Sequence, residues 1–228
     1  MKKVAVFTGN RSEYGLQLSA LRAINNHPEL EYKLIVAGAH LDDDFGQSIN
    51  EIQNDGFRID ATIKVEMNAD SLSSNVQSIG NTIVKIGVAL EQIKPDFLIV
   101  YGDRSEALAA VIASTQMNIP TGHIEGGDLT EGGALDDSVR HAMTKLCHLH
   151  FTTNQQSANR VLGMGEEFWR IHNVGLLSLD MIIERNFATP EEISVKLGIN
   201  LSKPIVLFTQ HSVATEFNLS GEQIKGSI

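Results

Sequence analysis

Short apolar runs alternate with amphipathic stretches along this chain, and that alternation restricts its fold more than any other feature. Val4 to Phe7, Lys33 to Ala37, Ile59 to Val65, Phe97 to Tyr101, Thr121 to Ile124 and Leu149 to Thr152 read as strands. Between the third and fourth runs, Val76, Ile79, Ile83, Ile86, Leu90 and Ile93 recur at intervals of three and four. That spacing puts them on one helix face, which is expected to cover the sheet. Further helices are expected over Leu16 to Asn25, about Asp43 to Asn54, Ser105 to Gln116, Asp137 to Leu146 and Gln155 to Leu162. Strand followed by helix, repeated, predicts an α/β fold with a parallel sheet. Right-handed crossovers then place helices on both faces, giving a doubly wound, Rossmann-like domain over residues 1–175.

After Asn173-Val174-Gly175 come two shorter helical candidates, and Pro204-Ile205-Val206-Leu207-Phe208-Thr209 then reads as a fresh strand. A stable sheet generally needs three or more strands. Residues 176–228 are therefore expected to be a linker and the beginning of an incomplete second domain, with the gene continuing past Ile228.

The 228 residues suffice for a sizeable core. A formal net charge of -10 and a pI near 5.2 repel nucleic acid and anionic lipid, so neither is expected as a partner. The single cysteine, Cys147, has no internal partner for a disulfide, and no apolar run approaches the roughly 20 residues of a membrane span. Met1-Lys2-Lys3 runs straight into strand-like sequence, which leaves no room for a signal peptide. A reducing cytoplasm is the expected location.

In doubly wound folds ligands bind outside the carboxyl ends of the strands, and here the segments after the strands are polar. They read Thr8-Gly9-Asn10-Arg11-Ser12-Glu13-Tyr14-Gly15, Gly38 to Gly46 with His40 and Asp42 to Asp44, Gly102-Asp103-Arg104-Ser105-Glu106, and His123-Ile124-Glu125-Gly126-Gly127-Asp128. The first lacks the glycine spacing and lysine of a phosphate-cradling loop. Arg11 could bind a phosphate or pair with a surface carboxylate. His40 is a better ligand candidate than the acidic run after it, which suits a solvated helix start. Asp103 could be a helix cap or a functional group, and the same choice stands for Asp136-Asp137. Glu125, at the end of a central strand, is expected to face a cleft where burial raises its pKa, the environment of a general base. The pairs Gly126-Gly127 and Gly132-Gly133 suggest a mobile loop. His148 and His150 share a strand face with no second ligand cluster, so hydrogen-bonded strand imidazoles are expected rather than a metal site. Cys147 reads as a packing residue.

Gly102-Asp103-Arg104, His123-Ile124-Glu125-Gly126-Gly127 and Asp136-Asp137-Ser138-Val139-Arg140-His141 together resemble the hydrolysing UDP-N-acetylglucosamine 2-epimerases. The Gly-Asn-Arg-Ser-Glu-Tyr-Gly loop near the start and Thr209-Gln210-His211 extend the likeness over essentially the whole chain. The resemblance implies a GT-B arrangement of two Rossmann-like domains, of which this chain carries the first and part of the second. It implies removal of the sugar C2 proton with loss of UDP, then addition of water to release the free 2-epimer sugar. Asp103, Glu125 and Asp136 are implied as catalytic carboxylates, with the choice of base open, and His211 as a catalytic group from the second domain. Arg11 is implied on the diphosphate, with Arg104 and His40 on the sugar side. A UDP-sugar is the implied substrate, no metal or other cofactor is implied, and the product is expected to feed sialic-type, nonulosonic acid synthesis. The non-hydrolysing relatives usually carry Asp-Thr where this chain has Asp103-Arg104, which favours the hydrolysing branch. Ser212 and Leu176-Leu177 depart from the family pattern around the interdomain hinge.

UDP-N,N'-diacetylbacillosamine is an alternative substrate under the same motifs. Two rival readings remain: a GT-B glycosyltransferase, and a non-catalytic nucleotide-sugar-binding or assembly module. Without a complete second domain this chain is expected to bind substrate poorly and to turn over little. Its lone late strand would leave apolar surface uncovered, which predicts self-association into a homo-oligomer. Light scattering on the purified chain is expected to show more than a monomer, and a monomer at all concentrations would contradict this.

Overall fold

Each apolar run near the start of the chain is buried on both faces, so the runs pair side by side. The computed structural model describes residues 1–65, 72–130, 135–185, 187–210 and 219–228. Among these, β1 (Lys2–Thr8), β2 (Leu30–Ala37), β3 (Ile59–Ile63), β4 (Phe97–Tyr101), β5 (Thr121–Ile124), β6 (Leu149–Thr152) and β7 (Ile171–Asn173) form one parallel sheet. Its order is β3-β2-β1-β4-β5-β6-β7. The chain leaves β3 at one edge and re-enters as β4 on the other side of β1. The order therefore reverses between β1 and β4, and the loops after those strands border the crevice where such folds take ligands.

The helices are α1 (Arg11–Asn26), α2 (Ile49–Asn54), α3 (Leu72–Ile93), α4 (Ser105–Gln116), α5 (Leu135–Leu146), α6 (Gln155–Gly163), α7 (Ser178–Ile183), α8 (Pro190–Leu197) and α9 (Ser220–Gln223). Alternate residues of the central strands supply two cores. Ala5, Phe7, Ile35, Ala37, Leu98 and Val100 pack with Ile86 and Leu90 of α3, Ala107 and Ala110 of α4 and Met143 of α5. Val4, Val6, Leu34 and Val36 pack on the other face with Leu18 and Leu21 of α1 and Ile52 of α2. Ala107, Ala109, Ala110 and Ala113 are all buried. With side chains this small, α4 sits close against the strands beside the reversal.

The expected α/β, doubly wound parallel sheet is present; three local expectations need correction, and one strand was not expected at all. The segment 43–54 is not one helix: Asp42 caps a 3-10 turn over Asp43–Phe45, Gly46 takes a left-handed φ of 82°, and α2 starts only at Ile49. The apolar face of α3 does not cover the sheet from its first turn, since Val76 is 70% exposed while Ile86 and Leu90 are buried. β7, read as Ile-His-Asn, carries no apolar run and forms because its backbone pairs with β6. Conversely, residues 204–210 form no strand despite their apolar character, because no neighbouring strand among the described residues pairs with them.

The described residues divide into two compact units, Met1–Glu184 and Arg185–Ile228. The first runs past the boundary expected at 175 because α7 packs on it. Ser19 Oγ in α1 donates to the Leu177 carbonyl at 3.3 Å, and Met181 joins the α1-side core. In the second unit, α8 begins with Pro190 behind a capping box. The Thr189 hydroxyl accepts from Glu192 N at 3.2 Å, and the Glu192 carboxylate accepts from Thr189 N at 2.7 Å. Val206 and Leu207 in this unit are almost fully exposed. No helix among the described residues is long and apolar enough to cross a membrane.

Candidate active site

Two strand ends build the site. β4 stops at Tyr101, Gly102 turns the chain with a φ of 69°, and Asp103 and Arg104 lead into α4. β5 stops at Ile124, and Glu125 follows with a left-handed φ of 65°, a conformation that non-glycine residues rarely adopt. Backbone bonds bind these turns together: Gly102 N donates to the Ile124 carbonyl at 3.1 Å, and Glu125 N to the Phe151 carbonyl at 3.0 Å. His123 adds a side-chain staple. Its Nε2 donates to the Gly102 carbonyl at 2.7 Å, and its Nδ1, the remaining acceptor, takes the Thr144 hydroxyl of α5 at 3.1 Å. Complete burial lowers the His123 pKa to about 4, so the ring stays neutral.

Glu125 is half-buried, and Tyr101 Oη donates to its Oε1. Burial raises its pKa above the ordinary carboxylate range. The Tyr101 bond opposes that rise, Asp128 and Asp103 reinforce it, and Arg140 opposes it. Arg140 reaches in from α5, its side chain 9% exposed, and Nη2 donates to Asp103 Oδ2. Its Nε is buried and, among the described residues, has no hydrogen-bond partner. Asp128 accepts from the hydroxyls of Thr153, at 2.8 Å, and Ser157. The result is a half-buried patch in which Glu125 feels the charges of Asp128, Asp103 and the buried Arg140 guanidinium.

A second acidic pair lies between β1 and α4. Glu13 and Glu106 are each 4% exposed and flank Gly9. Glu13 Oε2 accepts from Gly9 N at 2.6 Å. Burial, helped by the Glu106 charge, pushes Glu13 up to about 8 against the Gly9 bond and Arg104. Arg104 is exposed, with its Nε 3.8 Å from Glu106 Oε2, and it borders a cavity of about 330 Å³ that Ser78 and Thr82 of α3 also line.

The expected site residues divide. Asp103 and Glu125 come together at Arg140. Asp136 is exposed in the first turn of α5, one turn ahead of Arg140 and on the same helix face. Arg11 does not join the carboxylates: it forms an exposed ion pair with Glu51 at 3.0 Å. His40 is fully buried, with Nε2 2.9 Å from Thr8 Oγ1 and Nδ1 2.8 Å from Ser48 Oγ, and burial lowers its pKa to about 4. That enclosure leaves no ring atom to touch a sugar. His211 and the pair Gly132-Gly133 lie outside the described residues.

Sequence reasoning assigned no role to Tyr101, His123, Asp128, Arg140, Glu13 or Glu106. Arg140 had a signal, four residues after Asp136 on a helix, and His123 stood in the His123–Asp128 segment without a role; Tyr101 read only as a strand residue. His148 Nδ1 accepts from Thr121 N at 3.2 Å, and His150 Nε2 lies 3.1 Å from Glu166 Oε2. Among the described residues no group of three His, Cys, Asp or Glu side chains could hold a metal ion. Cys147 is buried, which pushes its thiol pKa up.

The fold and this patch define a Rossmann-like α/β protein whose charged groups gather at the carboxyl edge of the sheet, beside the strand-order reversal. The profile of the UDP-N-acetylglucosamine 2-epimerase family matches residues 22–225. The chain belongs to that family. It is 34% identical over 95% of its length to a hydrolysing UDP-N,N'-diacetylbacillosamine 2-epimerase of Legionella pneumophila, covering 57% of that relative. It is 33% identical over 96% of its length to a UDP-N-acetylglucosamine 2-epimerase of Neisseria meningitidis, covering 56% of it. The chain thus spans little more than half the length of these relatives. A crystal structure of UDP-GlcNAc 2-epimerase from Neisseria meningitidis bound to UDP-GlcNAc superposes with a TM-score of 0.69 at 22% identity, over 86% of this chain and 52% of that one. That likeness is one of fold.

Gly127 tests how tightly the patch is built. Its φ is 83°, and an added Cβ would lie 2.5 Å from the Ser157 carbonyl oxygen and 2.7 Å from Val161 Cγ2. Gly127→Ala is expected to cost about 2–4 kcal/mol, from strain and overpacking together. Urea unfolding measures this, and a loss under about 0.5 kcal/mol would show that the loop relaxes freely.

Proposed function

We propose that this chain is the N-terminal Rossmann-like domain, with the beginning of an incomplete C-terminal nucleotide-binding domain, of a hydrolysing UDP-N-acetylglucosamine 2-epimerase. One observation carries this reading: Glu125, held basic by burial, sits beside an Asp103–Arg140 pair that is itself half-buried. A carboxylate with a raised pKa accepts a proton from a weak carbon acid better than an ordinary one.

Glu125 takes the C2 proton of the sugar. The C–H electron pair forms the C1–C2 double bond as the C1–O bond breaks and UDP leaves. Water then adds across that double bond, OH to C1 and H to C2 on the opposite face, and N-acetylmannosamine is released. Arg140 supplies positive charge while the diphosphate departs, and its Nε–H, unpartnered among the described residues, is a spare donor for that moment. Asp103 holds Arg140 in place, and Asp136 and His211 act at the mouth on water and leaving group. Arg11 turns from its exposed pair with Glu51 to the diphosphate, while Arg104 and its adjoining cavity take the sugar side. His40 works from beneath, fixing Thr8 at the start of the phosphate-side loop.

The reaction runs in the cytoplasm without a metal or other cofactor, and the free 2-acetamido sugar feeds sialic-type acid synthesis. The name of the Legionella relative favours a second reading, the same chemistry on UDP-N,N'-diacetylbacillosamine.

The full-length protein, incubated with UDP-N-acetylglucosamine in deuterated water, is expected to release UDP and mannosamine product deuterated at C2. Glu125→Gln is expected to lower turnover by about 10²–10⁴-fold. Product without solvent deuterium at C2 would contradict the mechanism, and a product still carrying UDP would place the protein in the non-hydrolysing branch.

A further inference from the structure

The contact between Tyr101 and Glu125 needs an explanation that packing does not supply. Tyr101 and Ile124 are register partners across β4 and β5, so their side chains leave the same face of the sheet. Regular alternation would send the next residue, Glu125, to the opposite face. Its left-handed φ of 65° breaks that alternation and brings the carboxylate to the Tyr101 hydroxyl. A non-glycine residue in this region costs on the order of 1–3 kcal/mol, a strain that concentrates at functional sites.

Tyr101 is rigidly held. It is the last residue of β4, 5% exposed, and the next peptide is fixed twice, by Gly102 N on the Ile124 carbonyl and by His123 Nε2 on the Gly102 carbonyl. Burial and the neighbouring charges of Glu125, Asp128 and Glu13 push its phenol above the usual range, so its proton stays on oxygen throughout the working pH range. Glu125 therefore meets a permanent donor. Its other carboxylate oxygen has no hydrogen-bond partner among the described residues.

We infer that Tyr101 is a positioning residue for Glu125: its hydroxyl fixes one carboxylate oxygen, and this leaves the other aimed to take the substrate proton. The inference rests on the reading of Glu125 as the base. The other charged groups around this carboxylate are Asp128 from the same loop, Asp103 from the loop after β4 and Arg140 from α5. Among the described residues, only Tyr101 donates a hydrogen bond to it.

Tyr101→Phe in the full-length protein keeps the ring that fills the site and removes only the donor. Turnover is expected to fall about 10- to 100-fold, the effect of one hydrogen bond to a charged group, with KM changed less than about twofold. The acid limb of the kcat/KM profile should move to higher pH, because the lost bond favoured the ionised carboxylate. A variant with normal turnover and an unmoved acid limb would overturn the inference, as would a drop in melting temperature with both kinetic readouts unchanged. Glu125→Gln separates the two claims. If it keeps wild-type turnover, the base assignment itself is wrong; if it is inactive while Tyr101→Phe is normal, only the role of Tyr101 fails.

Discussion

The reversal of strand order between β1 and β4 is the constraint on which the rest depends. It exposes the carboxyl ends of β1, β4 and β5 to one crevice, so segments about 90 residues apart in sequence deliver their polar residues to one place. Helix α4 can follow so closely because its sheet-facing residues are alanines. The buried imidazole of His123 then locks the β4 turn to α5, and this brings Arg140 against Asp103. Each layer of the arrangement follows from the one beneath it.

At the sheet edge burial opposes the charge of Glu125 and Glu13, and hydrogen bonds and nearby arginines favour it. Taking Glu125 out of water disfavours its charge, and the Tyr101 hydroxyl and the buried Arg140 guanidinium restore part of it. Glu125 remains raised because burial outweighs the Tyr101 bond and Arg140. Burial also raises Glu13, to about 8, against its backbone donors and Arg104. A carboxylate raised by burial suits general-base chemistry on a weakly acidic carbon better than one on a solvated surface.

Much of the fold was legible because strands buried on both faces must be continuously apolar. β4, β5, β6 and α4 lie where their residue patterns put them. β7 was illegible for the opposite reason, since Ile-His-Asn joins the sheet through backbone pairing alone. The run from Pro204 misled because apolar residues make a strand only where another strand is there to pair. In the site, Asp103 and Glu125 could be read from their positions after strands. Tyr101 could not, because a phenol in an apolar run carries no local mark of the carboxylate it meets, and Arg140 showed only its spacing of four from Asp136 on a helix. His40 stood out as a polar residue in a loop, yet Thr8 and Ser48 enclose it, and no sequence pattern announces that enclosure.

Burial at the carboxyl edge of the sheet holds Glu125 basic. Carboxyl carbon-13 NMR titration of Glu125 measures this directly, with Glu125→Gln identifying the resonance. A midpoint above the ordinary glutamate value of about 4.3 is expected. A midpoint at or below that value would show a solvated or fully ion-paired carboxylate, and would contradict the proposed base.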